Sequence, residues 1–378
     1  MITPGAKRYD VILRNQYYLR ELLEGVTLED SLEEIAYRAI IRVSITDDFP
    51  EIGPGDEIRV SGVPFDGSGM VYLLHPGVIW ECDSKDKGHK TLTVTAYDRT
   101  IYLQQSEDEN ILPAGQTASQ RLRKYAADWQ IPIASIPETG VALSKAVYRP
   151  RSIHSMIMAD LKETVKKGGK MYRPRMTPNG LELYELGTNK TVWVLESNQN
   201  IKELNQLRTL QGAVTQAKVL GTQEKSRASQ MNVKLNTDGM SDAELEEYIR
   251  KYAAGSTGKK AGGKKPKTKQ DIPSPVLAIE KGETAKYGTI QKIIQDSEIK
   301  SVAQARKAAK EMLAGMQESF SVVAIDINTI RAGDMVRLNG LDLLVISVQH
   351  NLGSPGEMTV EVAWPDVVKR RVYGYGSI

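Results

Sequence analysis

The residues of this chain best suited to bind a metal or to act as base or nucleophile are four histidines, His75, His89, His154 and His350, and one cysteine, Cys82. They are scattered. No HExxH pair and no Cys/His ligand spacing connects them, so no metal centre is indicated. His154-Ser155 lies within a helical apolar pattern and not in a GxSxG elbow. His350 ends a strand pattern and reads as a satisfied core or interface residue. The run Gly258-Lys259-Lys260-Ala261-Gly262-Gly263-Lys264-Lys265 approaches a phosphate loop. It lacks the hydroxyl residue after the lysine, has no strand before it, and meets Pro266 where a helix should begin. Adjacent acids such as Asp47-Asp48 and Glu33-Glu34 read as solvated turn pairs, since glycosidic chemistry needs two carboxyls facing one cleft. Trp80, Trp129, Trp193 and Trp364 sit in strand-like or helical apolar contexts and read as core, not as a stacking platform. Catalytic, cofactor-binding and metal-ligating residues are therefore not expected, and the chain reads as a structural or interaction protein and not as an enzyme.

The composition agrees with that class. The 378 residues carry a net charge of +3, with acids and bases nearly balanced, which argues against a dedicated nucleic-acid binder. A single cysteine excludes an internal disulfide framework and fits synthesis in a reducing compartment. Neither an apolar signal core at Met1-Ile2-Thr3-Pro4-Gly5 nor a run long enough to span a bilayer is present, so a soluble chain made in a cytoplasm is expected.

The organising feature is an eleven-residue phrase that occurs twice. Ile52-Gly53-Pro54-Gly55-Asp56-Glu57-Ile58-Arg59-Val60-Ser61-Gly62 returns without a gap as Ile330-Arg331-Ala332-Gly333-Asp334-Met335-Val336-Arg337-Leu338-Asn339-Gly340. Each copy predicts a tight Gly-Asp bend feeding a strand of period two, closed by a glycine able to adopt φ > 0. Gly55, Asp56, Gly62, Gly333, Asp334 and Gly340 are thus expected to be turn-shaping, architectural residues.

The surroundings of the phrase repeat as well. In the first half, strands are expected at residues 9–13 and 17–23 (the second also compatible with a short helix), 39–45, 77–82 and 91–98, with a polar turn over 84–89. Five or six such strands predict a small antiparallel barrel. Residues 113–195 change character. Thr117 with Gln120 forms a capping box before one helix, Ser152 starts another that ends at Gly168-Gly169, and a hairpin turns over Pro178-Asn179-Gly180. Strand signals resume at 210–224 and 230–235. A second capping box, Ser241 with Glu244, opens a short helix, and residues 255–269 then hold six lysines, four glycines and no acid. Lys259, Lys260, Lys264, Lys265, Lys267 and Lys269 belong to this segment, which cannot bury a core and is expected to be a flexible loop available for partner contact. A third capping box, Ser301 with Gln304, leads to strands at 320–327, 343–350 and 356–363, the last echoing Leu92-Thr93-Val94-Thr95-Ala96. The expected fold class is mainly β with α+β: two related small antiparallel β-barrels, at 1–112 and 198–378, flank an α+β module at 113–197. The second barrel is expected to be interrupted by a helix and the lysine loop at about 238–275.

Taken together, Tyr287-Gly288, the alanine-rich helix ending at Met312-Leu313, the second phrase, residues 344–350 and Met358-Thr359-Val360 resemble the tail hub proteins of contractile phages and phage-tail-like bacteriocins. Within that family the chain is most similar to hubs of Gram-positive PBSX-like prophages. The resemblance covers most of the chain but not residues 255–269. It implies a homotrimer that joins a sixfold tail tube to a threefold central spike, with baseplate wedge proteins as further partners. It also implies a place in the baseplate of a virion tail or phage-tail-like particle made in a bacterial cytoplasm, while the motif and hydropathy readings above lead to the expectation of no cofactor and no membrane. For the lysine loop three roles stay open: a solvated tether, contact with DNA or the tape measure protein in the lumen, or a brace for a baseplate partner. The readings competing with the hub are a tail-tip cell-wall hydrolase and an OB-like nucleic-acid binder.

Overall fold

A computed structural model describes residues 8–67, 69–86, 88, 90–221, 274–296 and 299–374. The lysine loop, the expected strand at 230–235, the capping box at Ser241 and His89 lie outside the described residues. The first half contributes β1 (Tyr9–Leu13), β2 (Tyr17–Tyr18), β3 (Leu23–Ser31), β4 (Arg38–Ser44), β5 (Glu57–Gly62), β6 (Val71–Asp86) and β7 (Lys90–Asp98). The expected strand at 17–23 divides into β2, a turn of 3₁₀ helix at Arg20–Leu22, and the start of β3. β6 is far longer than the predicted 77–82 strand, because its pairing with β7 continues to Asp86↔Lys90 and takes up most of the expected polar turn. Along β3, β4 and β7 every second residue is buried, so Val26, Leu28, Ala39, Ile41, Val43, Leu92, Val94 and Ala96 meet Val11, Leu13, Ile58 and Val60 in one core.

The central module follows. Helix α1 (Ile101–Gln105) and β8 (Glu107–Leu112) lead to α2 (Ala118–Asp128), β9 (Ile133–Ser135), β10 (Ala146–Ser152), α3 (Ile153–Lys166), β11 (Tyr172–Thr177) and β12 (Gly180–Glu185). Both expected helix starts are present. Thr117 and Gln120 cap each other reciprocally, and Ser152 Oγ accepts from Ser155 N. The module core holds one buried ion pair, Arg121 to Asp160 at 2.6 Å, with Tyr148 Oη donating to the same carboxylate at 2.7 Å. Burial pushes the Asp160 carboxyl up from its ordinary value, against these hydrogen bonds and the Arg121 charge.

The remainder comprises β13 (Trp193–Leu195), β14 (Ile201–Thr209), β15 (Gln216–Leu220), β16 (Val276–Lys281), a short helix at Thr284–Tyr287, β17 (Gln291–Gln295) and the helix Val302–Met312. β18 (Gln317–Ile325), β19 (Met335–Leu338), β20 (Leu341–Leu352), β21 (Glu357–Ala363) and the helix Pro365–Tyr373 complete it. The Ser301/Gln304 capping box forms as expected. Chain contacts divide the molecule into two compact units, one of Met1–Leu207 with Glu318–Ile378, the other Arg208–Gln317. Among its described residues the smaller unit holds a three-stranded sheet, β16-β15-β17, with the helix Val302–Met312 packed on β15 and β16. In sequence it falls inside the stretch expected to form the second barrel.

Within the larger unit, β14-β18-β21-β20-β3-β4-β7-β6-β5-β1-β2 form one continuous path, with β19 pairing β20 and β13 pairing β19. The larger unit is thus mainly β, and largely antiparallel. β3 does not return to β1 or β2; its outer side pairs with β20.

Two glycines of the repeated phrase test the turn geometry. Gly333 (φ +87°) has Arg173, Leu186 and Leu32 within 3.5 Å of where a Cβ would stand, whereas Gly340 (φ +85°) has open space. Gly340→Ala should lower stability by about 1–2 kcal/mol through backbone strain alone. Gly333→Ala should lower it further, as read by urea unfolding midpoints; equal costs would show that the packing around Gly333 yields freely.

Candidate assembly surface

The two copies of the phrase build the same turn atom for atom. In the first, Gly55 N donates to Ile79 O at 2.8 Å and Ile79 N to Asp56 O at 2.9 Å; in the second, Gly333 N donates to Val345 O at 2.8 Å and Val345 N to Asp334 O at 2.9 Å. Each aspartate closes its own bend: Asp56 Oδ2 accepts from Gly53 N and Asp334 Oδ2 from Arg331 N, both at 2.9 Å. Gly55 (φ +94°) and Gly333 occupy the left-handed region. The closing glycines differ. Gly340 turns the hairpin between β19 and β20, but Gly62 lies inside β5, paired with Val71, where a Cβ would strike Leu73. The first copy therefore needs its last glycine for close packing and not for a positive φ.

The match extends to whole strands. β5 meets β6 as Glu57↔Val78 and Ile58↔Gly77; β19 meets β20 as Met335↔Leu344 and Val336↔Leu343. A bulge then interrupts β6 against β7 between Ile79 and Glu81, and β20 against β21 between Val345 and Ser347. The strand order β3-β4-β7-β6-β5 recurs as β14-β18-β21-β20-β19.

The repeats join where β20 takes β3, from Ser347↔Ser31 to Leu352↔Val26. Beside that seam Asp30 is buried, with its side chain wholly inaccessible. Its Oδ1 accepts from Arg173 Nη2 at 2.9 Å, and its Oδ2 accepts from Arg331 Nε and from Ala332 N. Arg173 also donates to Ala332 O at 2.9 Å, and the Arg331 guanidinium stacks 3.7 Å over the Tyr37 ring. Burial alone would push the Asp30 carboxyl up, but Arg173 and Arg331 reverse that and hold it well below the usual carboxylate range. Nearby, the buried His350 ring has Asp326 Oδ1 at 2.6 Å from Nδ1 and Ile330 O at 2.9 Å from Nε2, tying β20 to the start of the second phrase. The satisfied core histidine expected at this position is present.

Among the strand edges with a partner on one side only, two occupy equivalent places in the repeats. β14 has β18 on one side and, among the described residues, no strand on the other; Leu204 and Leu207 stand 39% and 58% exposed. β5 accompanies β6 only to Val78, so residues 81–86 have β7 on one side and, among the described residues, no strand on the other. Across the seam a cleft of about 610 Å³ of mixed character is lined by Glu29, Arg38, Ser347, Gln349, Leu207 and Val348 among others.

Among the residues considered for chemistry, Cys82 is part-buried against the first core, and burial brings His154 down to about 4. Glu33, Glu34, Asp47 and Asp48 are exposed, as expected. Trp193 packs part-buried against the core of the second repeat, but the other three tryptophans correct the expectation of core. Trp80, Trp129 and Trp364 are all more than a third exposed, with Trp80 packed edge-on against Tyr97 and Tyr102. An indole supplies strand or helix patterning whichever face it occupies, so period alone could not place it. Asp30, Arg173 and Arg331 were missed. The one sequence signal was the arginine at the position where the first phrase carries Gly53.

Removing the Asp30 carboxylate leaves two arginines facing a neutral group, so Asp30→Asn should cost about 3–5 kcal/mol in urea unfolding. Because folding depresses this pKa, the stability it contributes is complete above its unfolded value of about 3.9 and is lost as pH falls below that. Wild-type unfolding midpoints should therefore drop more steeply between pH 5 and 3 than those of Asp30→Asn; parallel curves would refute the charge assignment.

The fold and motifs have counterparts. Uncharacterized protein YqbQ of Bacillus subtilis (strain 168) is 27% identical over 237 residues, 61% of this chain and 69% of its own length. Phage-like element PBSX protein XkdQ of the same strain is 33% identical over 112 residues, 29% of this chain and 34% of its own. The crystal structure of the prophage MuSo2 43 kDa tail protein from Shewanella oneidensis matches with a TM-score of 0.64 at 12% identity. That match covers 96% of this chain and 99% of the other and bears on the fold. The kinship with PBSX-like prophage proteins expected from the motif order is thus present, and, with the YQBQ-like family model matching residues 31–245, more than half of its length, this chain belongs to the YQBQ-like family.

Proposed function

We propose that this chain is a structural component of the tail baseplate of a phage or phage-tail-like particle: a homotrimeric hub that adapts a sixfold tail tube to a threefold central spike. The observation that carries the reading is the internal repeat, in which β3-β4-β7-β6-β5 and β14-β18-β21-β20-β19 share order, register and bulge and lie edge to edge in one sheet. A subunit with two near-equivalent units offers six of them when three copies close, so the ring meets a sixfold neighbour on one face while keeping threefold symmetry on the other. In this reading each repeat is a small barrel. The 113–197 module braces the pair, and the wedge and tape measure proteins are further neighbours. The tail character of the relatives supports it.

Electron microscopy of the particle should place this chain between tube and spike with threefold symmetry. Light scattering of the purified chain should give three times the chain mass of 41.9 kDa. Density elsewhere in the particle, or release of muropeptides from peptidoglycan by the purified protein, would turn the assignment toward a different tail role.

A further inference from the structure

We infer that residues 81–86 of β6 form the docking edge for β14 of a second copy of this chain, in the arrangement by which β20 takes β3 within one chain. The inference rests on the ring reading above and supplies its seam. The bulges align Val345 with Ile79 and Ser347 with Glu81, so residues 347–352, which hold β3, correspond to residues 81–86. The strand order makes β14 the counterpart of β3. Each chain thus satisfies one such pairing internally and leaves one acceptor edge and one donor edge unfilled.

The side chains agree. In β3 the inward residues Val26, Leu28 and Asp30 are at most 3% exposed because β20 and the core cover them, whereas β14 has no buried residue along its length. An uncovered strand of nine residues with exposed Leu204 and Leu207 is an association site unless something pairs with it. Charge also complements: β14 carries Lys202 and Arg208 against Glu203, and residues 81–86 carry Glu81, Asp83 and Asp86 against Lys85. Because donor and acceptor are different edges, the contact is heterologous and propagates head to tail until it closes. One difference sets the strength of the two seams. Arg331, which clamps Asp30 inside the chain, corresponds to Gly53 in the first phrase, so the seam between copies lacks that buried ion cluster and separates more easily.

The test uses the full chain with Cys82→Ala and two exposed positions, Ser84→Cys on the acceptor edge and Asn205→Cys on the donor edge. A short bismaleimide should produce covalent species up to a closed ring, while each single-cysteine chain stays at monomer mass on a denaturing gel. An assembled double variant that does not cross-link overturns the seam and leaves the trimer standing; a wild-type chain that is monomeric both alone and in particles overturns the trimer reading and the seam with it. As a second measurement, Lys85→Pro and Gln206→Pro chains should each lose self-association but form a dimer when mixed, since one intact acceptor then meets one intact donor. Cross-linking to a different tail protein, or a mixed sample that remains monomeric while each variant keeps its wild-type melting temperature, would assign the edge to another occupant.

Discussion

A carboxylate taken out of water costs several kcal/mol unless charge and hydrogen bonds replace its hydration, and Asp30 is such a group at the centre of the larger unit. What replaces its water comes from two places, each more than a hundred residues away in sequence. Asp30 belongs to the first repeat, Arg173 to the hairpin of the central module, and Arg331 with the Ala332 N–H to the second phrase. None of the three segments can shift without leaving a buried charge unpaired, so the cluster holds both repeats and the module to one another. The same position also fixes register: Asp30 sits opposite Val348 in the seam, and a one-residue slip would turn it to the solvated face.

Around that point the duplication works as a constraint with one permitted variation. The Gly-Asp bend and the bulge stand at matching positions in both copies, and changing either would alter how neighbouring strands meet. The copies diverge where one seam is internal and the other is not. Gly53 stands against Arg331, and Ser84 against His350, whose ring is buried between Asp326 and Ile330. Polar specificity has been added to the repeat whose seam is built within the chain, where it is always at full occupancy.

The two faces of the sheet divide the labour by period-two alternation. One face carries the aliphatic residues of the cores. The other carries Thr27, Glu29, Arg38, Ser347, Gln349, Thr359 and Glu361 across the seam, interrupted by Ile40 and Val323, with Arg38 paired to Glu29.

Much of this was legible in the sequence because it is local. The Gly-Asp bends, the capping boxes at Thr117 and Ser301, the helix start at Ser152 and the alternating strands each depend on contacts a few residues away, and the repeated phrase announced two related units. The closing Gly62 shows the limit, since the same residue at the same place in the phrase serves packing in one copy and φ > 0 in the other, according to whether the next strand follows directly. Only the tertiary structure decided that the repeats share one sheet, that Trp80 and Trp129 face outward, and that Asp30 meets Arg173 and Arg331. The shared sheet and the Asp30 cluster turn on pairs separated by more than a hundred residues, and strand edges carry no side-chain code: a backbone N–H looks the same in sequence whether it is bonded to β20, to a second copy, or to water.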